Sequence, residues 1–259
     1  MRLAFWLVAA VAPVAAQPKL LIDAQVDTRS AAAGLEREFR QLLSAQPQPA
    51  WIGYSVPSVR SSQLGCEYVS PGGRSAPGVI HLEPPREAVI LFRVVNGAVD
   101  RIRALSPDCE IDAGGVPFHW LADVRPAESV TLLGAIDRPE VIMAIAMHAD
   151  GSADAALERL IGSAQPEAVR RRALFWIGAA RGAHGLDVLK QYLATETSTA
   201  LRERAISGIA ASSEPAAIDL LILLARQDKD ARVRRQAMNA IGRSRDPRAQ
   251  TFLESVLKQ

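Results

Sequence analysis

The sequence predicts an α+β protein, with a small β-rich N-terminal domain and a flanking helix followed by an all-α solenoid in the C-terminal half. Three observations lead there. From about residue 134 to the end, apolar residues recur in columns 32 residues apart. Between Trp51 and Ile111 the apolar spacing changes to that of strands, with an Asn96-Gly97 turn signal inside the stretch. The composition is 49% hydrophobic, 22% charged and only 5% aromatic, which suits a packed chain built through small and aliphatic side chains.

Internal periodicity takes precedence over local motifs, because it dictates the whole architecture. In steps of 32, Val169, Leu201 and Val233 share a column, as do Ala173, Ala205 and Ala237, and Ile177, Ile209 and Ile241. Leu189, Leu221 and Leu253 continue the pattern. One step earlier the frame meets Val141, Ile142, Ile145, Ala146, Leu157 and Leu160, a fainter fourth copy.

Each copy holds two helical patterns. Val169, Ala173, Leu174 and Ile177 share one helical face, and Leu186, Leu189, Tyr192 and Leu193 form the next. Arg181-Gly182 and Gly185 read as the break between helices. Asp246-Pro247 reads as a capping carboxylate before a first-turn proline, with Glu214-Pro215 in the same slot one copy earlier. The column Gly178, Ala210, Gly242 predicts close approach of the paired helix. One helical pair buries too little surface alone, so the pairs must stack. A plain four-helix bundle would not require a constant 32-residue register.

Two segments carry a family resemblance. Asp230-Ala231-Arg232-Val233-Arg234-Arg235-Gln236-Ala237 with Ile241-Gly242, and Ala168-Val169-Arg170-Arg171-Arg172-Ala173 with Ile177-Gly178, resemble HEAT-like repeats of the short type first associated with phycobilisome lyases. The resemblance spans about half of the chain and is specific for fold, not for activity. It implies that Arg170, Arg202 and Arg234 support packing between repeats. At its most specific it implies an accessory domain or enzyme related to pigment lyases. The second copy departs from the pattern, with Leu201 in place of valine and Glu203 in place of arginine.

In the N-terminal half, residues 28–45 predict an amphipathic helix with Leu35, Phe39, Leu42 and Leu43 on its apolar face. Residues 88–95 and 98–105 predict a hairpin over Asn96-Gly97. A two-residue turn sets Val95 opposite Ala98, Arg93 opposite Asp100 and Leu91 opposite Ile102. Shorter strands are expected at 52–56, 66–69 and 79–82. A helix over 126–136 hands over to the solenoid, which sets a domain boundary near residue 125.

Met1-Arg2, the apolar run 3–13 and the small residues Val14-Ala15-Ala16 read as a secretory signal peptide, 1–16. The run is shorter than the roughly 20 residues a membrane span needs. The expected organisation is therefore signal peptide 1–16, α+β domain 17–125 and solenoid 126–259, in a periplasmic or secreted protein with no integral membrane segment after cleavage. Export favours a disulfide between the only two cysteines, Cys66 and Cys109.

Catalytic and metal motifs do not assemble. His81, His119, His148 and His184 have no helical zinc spacing, and the cysteines lack CxxC spacing. Gly72-Gly73-Arg74-Ser75 lacks the lysine of a phosphate loop, and Pro77 stands where a nucleophile elbow needs glycine. Asp108, Glu110 and Asp112 alternate like a charged strand edge, with a calcium site as the alternative. The expectation is a non-enzyme without cofactor.

The arginines are the better candidates. Arg171, Arg202, Arg204, Arg234 and Arg235 recur near the start of successive copies and predict a ridge for a protein partner. An anionic glycan or lipid headgroups are further ligands such a ridge admits. The alternative is that these arginines pack between repeats or pair with Glu167, Glu203 or Asp230. A net charge of +2 and the lack of interleaved aromatics argue against nucleic acid. The expected function is an exported interaction or scaffold module of the cell envelope, with a purely structural spacer as the alternative.

Overall fold

The computed structural model describes residues 20–45, 48–59, 64–66 and 86–258. The expected signal peptide, the strands at 67–69 and 79–82, the Gly72–Ser75 loop and His81 lie outside the described residues. The N-terminal part contains β1 (Leu20–Ile22), β2 (Gln25–Ser30), α1 (Leu35–Ala45), β3 (Ala50–Pro57), β4 (Glu87–Val95), β5 (Ala98–Leu105), β6 (Glu110–Asp112) and β7 (Pro117–Ala122). Helices follow: α2 (Pro126–Gly134), α3 (Val141–Met147), α4 (Ser152–Leu160), α5 (Glu167–Ala180) and α6 (Gly182–Thr195). The array ends with α7 (Thr199–Ala210), α8 (Ala216–Gln227), α9 (Ala231–Gly242) and α10 (Pro247–Leu257).

Five strands form one sheet in the order β2-β7-β3-β4-β5, and β1 pairs with β6 in a small parallel ribbon. Alternation along β3 and β4 divides their side chains between two faces. Ile52, Tyr54, Ile90 and Phe92 pack with Leu35, Phe39 and Leu42 of α1, where the Phe39 and Phe92 rings lie 4.8 Å apart. Val89 and Leu91 turn to the opposite face, against Phe118 and Trp120.

The structure corrects the N-terminal expectations in three places. The helix expected over 28–45 begins only at Leu35, because residues 25–30 extend as β2 alongside β7. Gly34, at φ +128°, turns the chain, and the Leu35 N–H donates to the Glu128 carboxylate at 3.1 Å. The expected apolar face is otherwise in place. The second correction is β7, the unexpected parallel partner of both β2 and β3.

The third concerns the hairpin. Val95 faces Ala98 across Asn96 and Gly97, both at positive φ, as the turn signal requires. A bulge between Arg93 and Val94 then shifts the register, so Arg93 faces Arg101 and Phe92 faces Ile102. The bulge turns Ile102 into the core beside Phe92. Asp100 loses its cross-strand place yet stays 3.7 Å from Arg93. Beyond this hairpin, Cys109 is joined to Cys66 by a disulfide.

The helices α3/α4, α5/α6, α7/α8 and α9/α10 are the four repeats that the 32-residue frame predicts. The glycines act differently from expectation. A Cβ on Gly178 would meet the backbone of Gly208, 2.8 Å from its Cα, so this glycine brings successive first helices α5 and α7 together rather than a paired helix. Gly185 does not break the chain. It lies inside α6, where its bare Cα packs against the Ile177 carbonyl of α5.

The sheet is bonded directly to the solenoid. Ser58 forms a β-bridge with His148, the Val59 N–H donates to Met147 O at 2.9 Å, and the Ala149 N–H donates to Pro57 O at 2.9 Å. A single apolar core runs from Leu35 of α1 to Phe252 of α10.

Candidate functional site

The arginine columns divide into an internal and an external set. Arg170, Arg202 and Arg234 start the first helices of three repeats, one turn in, where the side chain turns toward the end of the second helix. Arg202 forms an ion pair of 2.6 Å with Asp228, and both side chains are 5% exposed. Arg170 bonds the Glu196 carboxylate, the Tyr192 hydroxyl at 2.7 Å and Ile161 O at 3.1 Å. Arg234 donates to the carbonyls of Asp228 and Lys229.

These contacts perturb the groups involved. Burial by itself would raise the Glu196 pKa, but the Ser198 N–H, the Tyr192 hydroxyl and Arg170 hold it below the usual carboxylate value. Burial, then the Glu196 carboxylate, push the Tyr192 hydroxyl up. The resemblance implied packing between repeats: Arg170 and Arg234 do reach carbonyls of the preceding repeat, but the Arg170–Glu196 and Arg202–Asp228 pairs lie within one repeat. Arg202 is therefore withdrawn from any exposed ridge, and Arg234 is half-buried in the same role.

The external set lies one and two residues further on. Arg171 and Arg235 are exposed, as is Arg172 beside the first of them. Arg171 lies 3.9 Å from Glu167, one helical turn earlier. Arg204 is half-buried. Its guanidinium stacks 4.6 Å from the Phe175 ring centre, and its Nε–H donates to Arg171 O at 3.1 Å. Burial, then the charge of Arg171, pull its pKa below the ordinary arginine value. At the same station of α7, Glu203 accepts from Arg232 at 3.2 Å, so the basic face is interrupted there.

Several of these contacts repeat with the fold. Arg204 to Phe175, Arg232 to Glu203 and Arg248 to Asp219 each reach back 29 residues, across to the preceding repeat. Arg170 to Glu196 and Arg202 to Asp228 each reach forward 26 residues. The acids were legible as a column, because Glu196 and Asp228 are themselves 32 residues apart.

A second polar centre sits where sheet and solenoid meet. Tyr54 of β3, Ser129 of α2 and His148 at the end of α3 are buried and joined in series. The His148 Nδ1–H donates to Ala144 O at 2.8 Å, which leaves Nε2 to accept from the Ser129 hydroxyl at 2.8 Å. The Tyr54 hydroxyl donates to Ser129 Oγ at 2.7 Å. Burial pushes the His148 imidazole down to about 4, so it is neutral at neutral pH. Burial likewise pushes the Tyr54 hydroxyl up. Arg181 closes the junction from below: its Nε–H bonds Asp154 at 2.7 Å, and its Nη1 donates to His148 O at 2.5 Å. Neither Arg181 nor this network was anticipated from sequence, since its members come from five separate elements.

His119 of β7 stands 3.4 Å from Asp27 of β2, and His184 bonds Glu158 at 2.9 Å. No group of three or more His, Cys, Asp or Glu side chains able to hold a metal exists among the described residues. No helix among them is long and apolar enough to cross a membrane.

Residues 186–259 match the family model described as HEAT repeats. A search among curated proteins finds no match to the chain. The matched segment runs from within α6 through α10, and its geometry of paired helices in 32-residue register extends back to α3. The chain is an α+β protein whose C-terminal helices pack as HEAT-like repeats.

Proposed function

We propose that this protein is an exported, non-enzymatic interaction module of the cell envelope. In this reading it docks an acidic partner protein on the first-helix face that carries Arg171, Arg172 and Arg235. HEAT-like repeats present regular helical surfaces to other proteins, and this surface is basic at one edge. One observation supports the choice of face. The column one residue earlier is sequestered in ion pairs and carbonyl contacts, whereas these three arginines remain exposed on α5 and α9 with Arg204 braced between them on Phe175. Exposed guanidinium groups in fixed register suit carboxylates, which they bind in bidentate fashion. The export part of the reading rests on the signal-peptide pattern at residues 1–16.

The test uses the full chain as bait on envelope extract, beside an Arg171→Glu/Arg172→Glu/Arg235→Glu bait. A protein held by the first at low salt, released at high salt and absent from the second supports the reading. An identical set of captured proteins on both baits removes the arginine face from it. Cell fractionation with N-terminal sequencing checks export, the expected mature end being Gln17.

A further inference from the structure

Helix α7 covers α5 at four residues of α5. Arg204 of α7 donates to Arg171 O at 3.1 Å and stacks on Phe175, and the Gly208 backbone lies against the Leu174 carbonyl and Gly178. Two repeats later the same four stations hold Arg235, Met238, Asn239 and Gly242 on α9. Among the described residues no helix covers them. Arg235, Asn239 and Gly242 are exposed, Met238 is half-buried where Leu174 is buried, and a Cβ on Gly242 would meet nothing within 4 Å. A face that only ended the array in water would be polar throughout. Here the apolar column Leu174, Ile206, Met238 and the small-residue column Gly178, Ala210, Gly242 both persist.

The repeat itself defines what such a face accepts. At the station of Arg235, α7 carries Glu203, and the helix that covers α7 answers it with Arg232 at 3.2 Å. Arg232 stands eight residues before Ala240, which is the register equivalent of Gly208. At the station of Asn239, α5 carries Phe175, answered by Arg204 four residues before Gly208. On α9 the charge at the first station is reversed. A helix covering it therefore needs a carboxylate eight residues before its small contact residue, and a polar side chain four residues before it. Helix α9 contains no Asp or Glu, and the positions one turn from Arg235, Ala231 and Asn239, are uncharged. A second copy packed α9 on α9 would supply no carboxylate to Arg235.

We propose, resting on the reading of this chain as a docking module for an acidic protein, that the open face of α9 receives an α-helix of that partner in the way α5 receives α7. The partner helix crosses α9 with a small residue over Gly242, covers Met238, and sets a carboxylate against Arg235. Residues four and eight apart on a helix share one face, so the three contacts fall together. The close approach depends on Gly242, as that of α7 depends on Gly178.

The probe is a fluorescent synthetic helix with Glu eight residues and Gln four residues before a central Ala, titrated against the full chain. A covalent staple on its far face holds a helix that is too short to persist alone. Arg235→Glu is expected to weaken binding by about tenfold, and a peptide with Arg in place of that Glu to recover it on the same variant. Gly242→Gln is expected to abolish binding without lowering the melting temperature, because its side chain enters open space in the free chain. No binding by the parent peptide, binding indifferent to Gly242→Gln, or no recovery on charge exchange overturns the proposal. Capture from envelope extract separates it from the reading it rests on. A protein held by the parent and Gly242→Gln baits alike, but lost from the triple-arginine bait, overturns the helix site and leaves the basic face standing. A protein held equally by all three baits overturns both.

Discussion

Arg202 in the first turn of α7 and Asp228 just beyond the end of α8 are joined at 2.6 Å with almost no access to water. One repeat earlier, Arg170 and Glu196 stand in the same relationship at the same 26-residue separation. The pair clamps the start of a first helix to the exit of the second in the α5/α6 and α7/α8 repeats. Such a pair holds because removing either partner strands a charge in a poorly solvated place.

Asp228→Ala should therefore lower the unfolding free energy in urea by about 3–5 kcal/mol. The Arg202→Met/Asp228→Leu double variant should recover most of that loss, because no charge is then left behind. A single variant that loses less than about 1 kcal/mol would show that the pair is hydrated in solution.

Gly178 and Gly242 share a sequence column but not a structural role. A Cβ on Gly178 would collide with the Gly208 backbone, whereas one on Gly242 would meet nothing. Gly178→Ala should destabilise by about 3 kcal/mol or more through overpacking. Gly242→Ala should be neutral or slightly stabilising, by up to about 1 kcal/mol from helix propensity. Thermal unfolding of the two variants side by side separates close approach from simple periodicity.

His148 makes stability depend on pH. Its folded pKa, about 4, lies below the ordinary 6.5, chiefly through burial. Arg181 adds to that lowering, and Asp150 and the Ala144 and Ile145 carbonyls oppose it. A lowered pKa means that the folded state favours the neutral ring. The contribution is thus fully present above pH 6.5, declines as pH falls, and is lost once pH has dropped through about 4. It amounts to roughly 3 kcal/mol across that window. Protonated Nε2 would also face Ser129 Oγ as a second donor beside the Tyr54 hydroxyl, which would force the serine to turn. His148→Gln should flatten the pH profile between those limits, as followed by chemical denaturation at stepped pH.

The Cys66–Cys109 disulfide spans 43 residues. On the chain-entropy account it contributes about 4 kcal/mol, so a Cys66→Ser/Cys109→Ser variant, or reduction, should lower the melting temperature by several degrees. Circular dichroism melts with and without reductant check this, the helical signal being retained at room temperature.

The sheet was only partly legible in the sequence. The NG turn and the apolar run of β4 located the hairpin, and the closing pair Val95–Ala98 followed from the turn. The bulge at Arg93 and Val94 did not follow, because it is set by the requirement that Ile102 reach the core beside Phe92. Strand β2, with every side chain exposed, carries no alternation to detect and exists only because β7 offers it a parallel edge.

The solenoid was determined by the sequence alone. Its signal is local and repeated: each helix declares a face through residues three or four apart, and each copy restates it 32 residues later. What the tertiary structure decided is which arginines face inward. Arg170 and Arg171 are neighbours of the same type, and a rotation of about 100° around the helix separates a buried clamp from an exposed cation. The same holds for Glu214 and Asp246, equivalent in the repeat: the first carboxylate lies over Gly182 of the preceding repeat, whereas the second caps α10. Side-chain roles of this kind depend on a neighbour many residues away, and only packing brings that neighbour into reach.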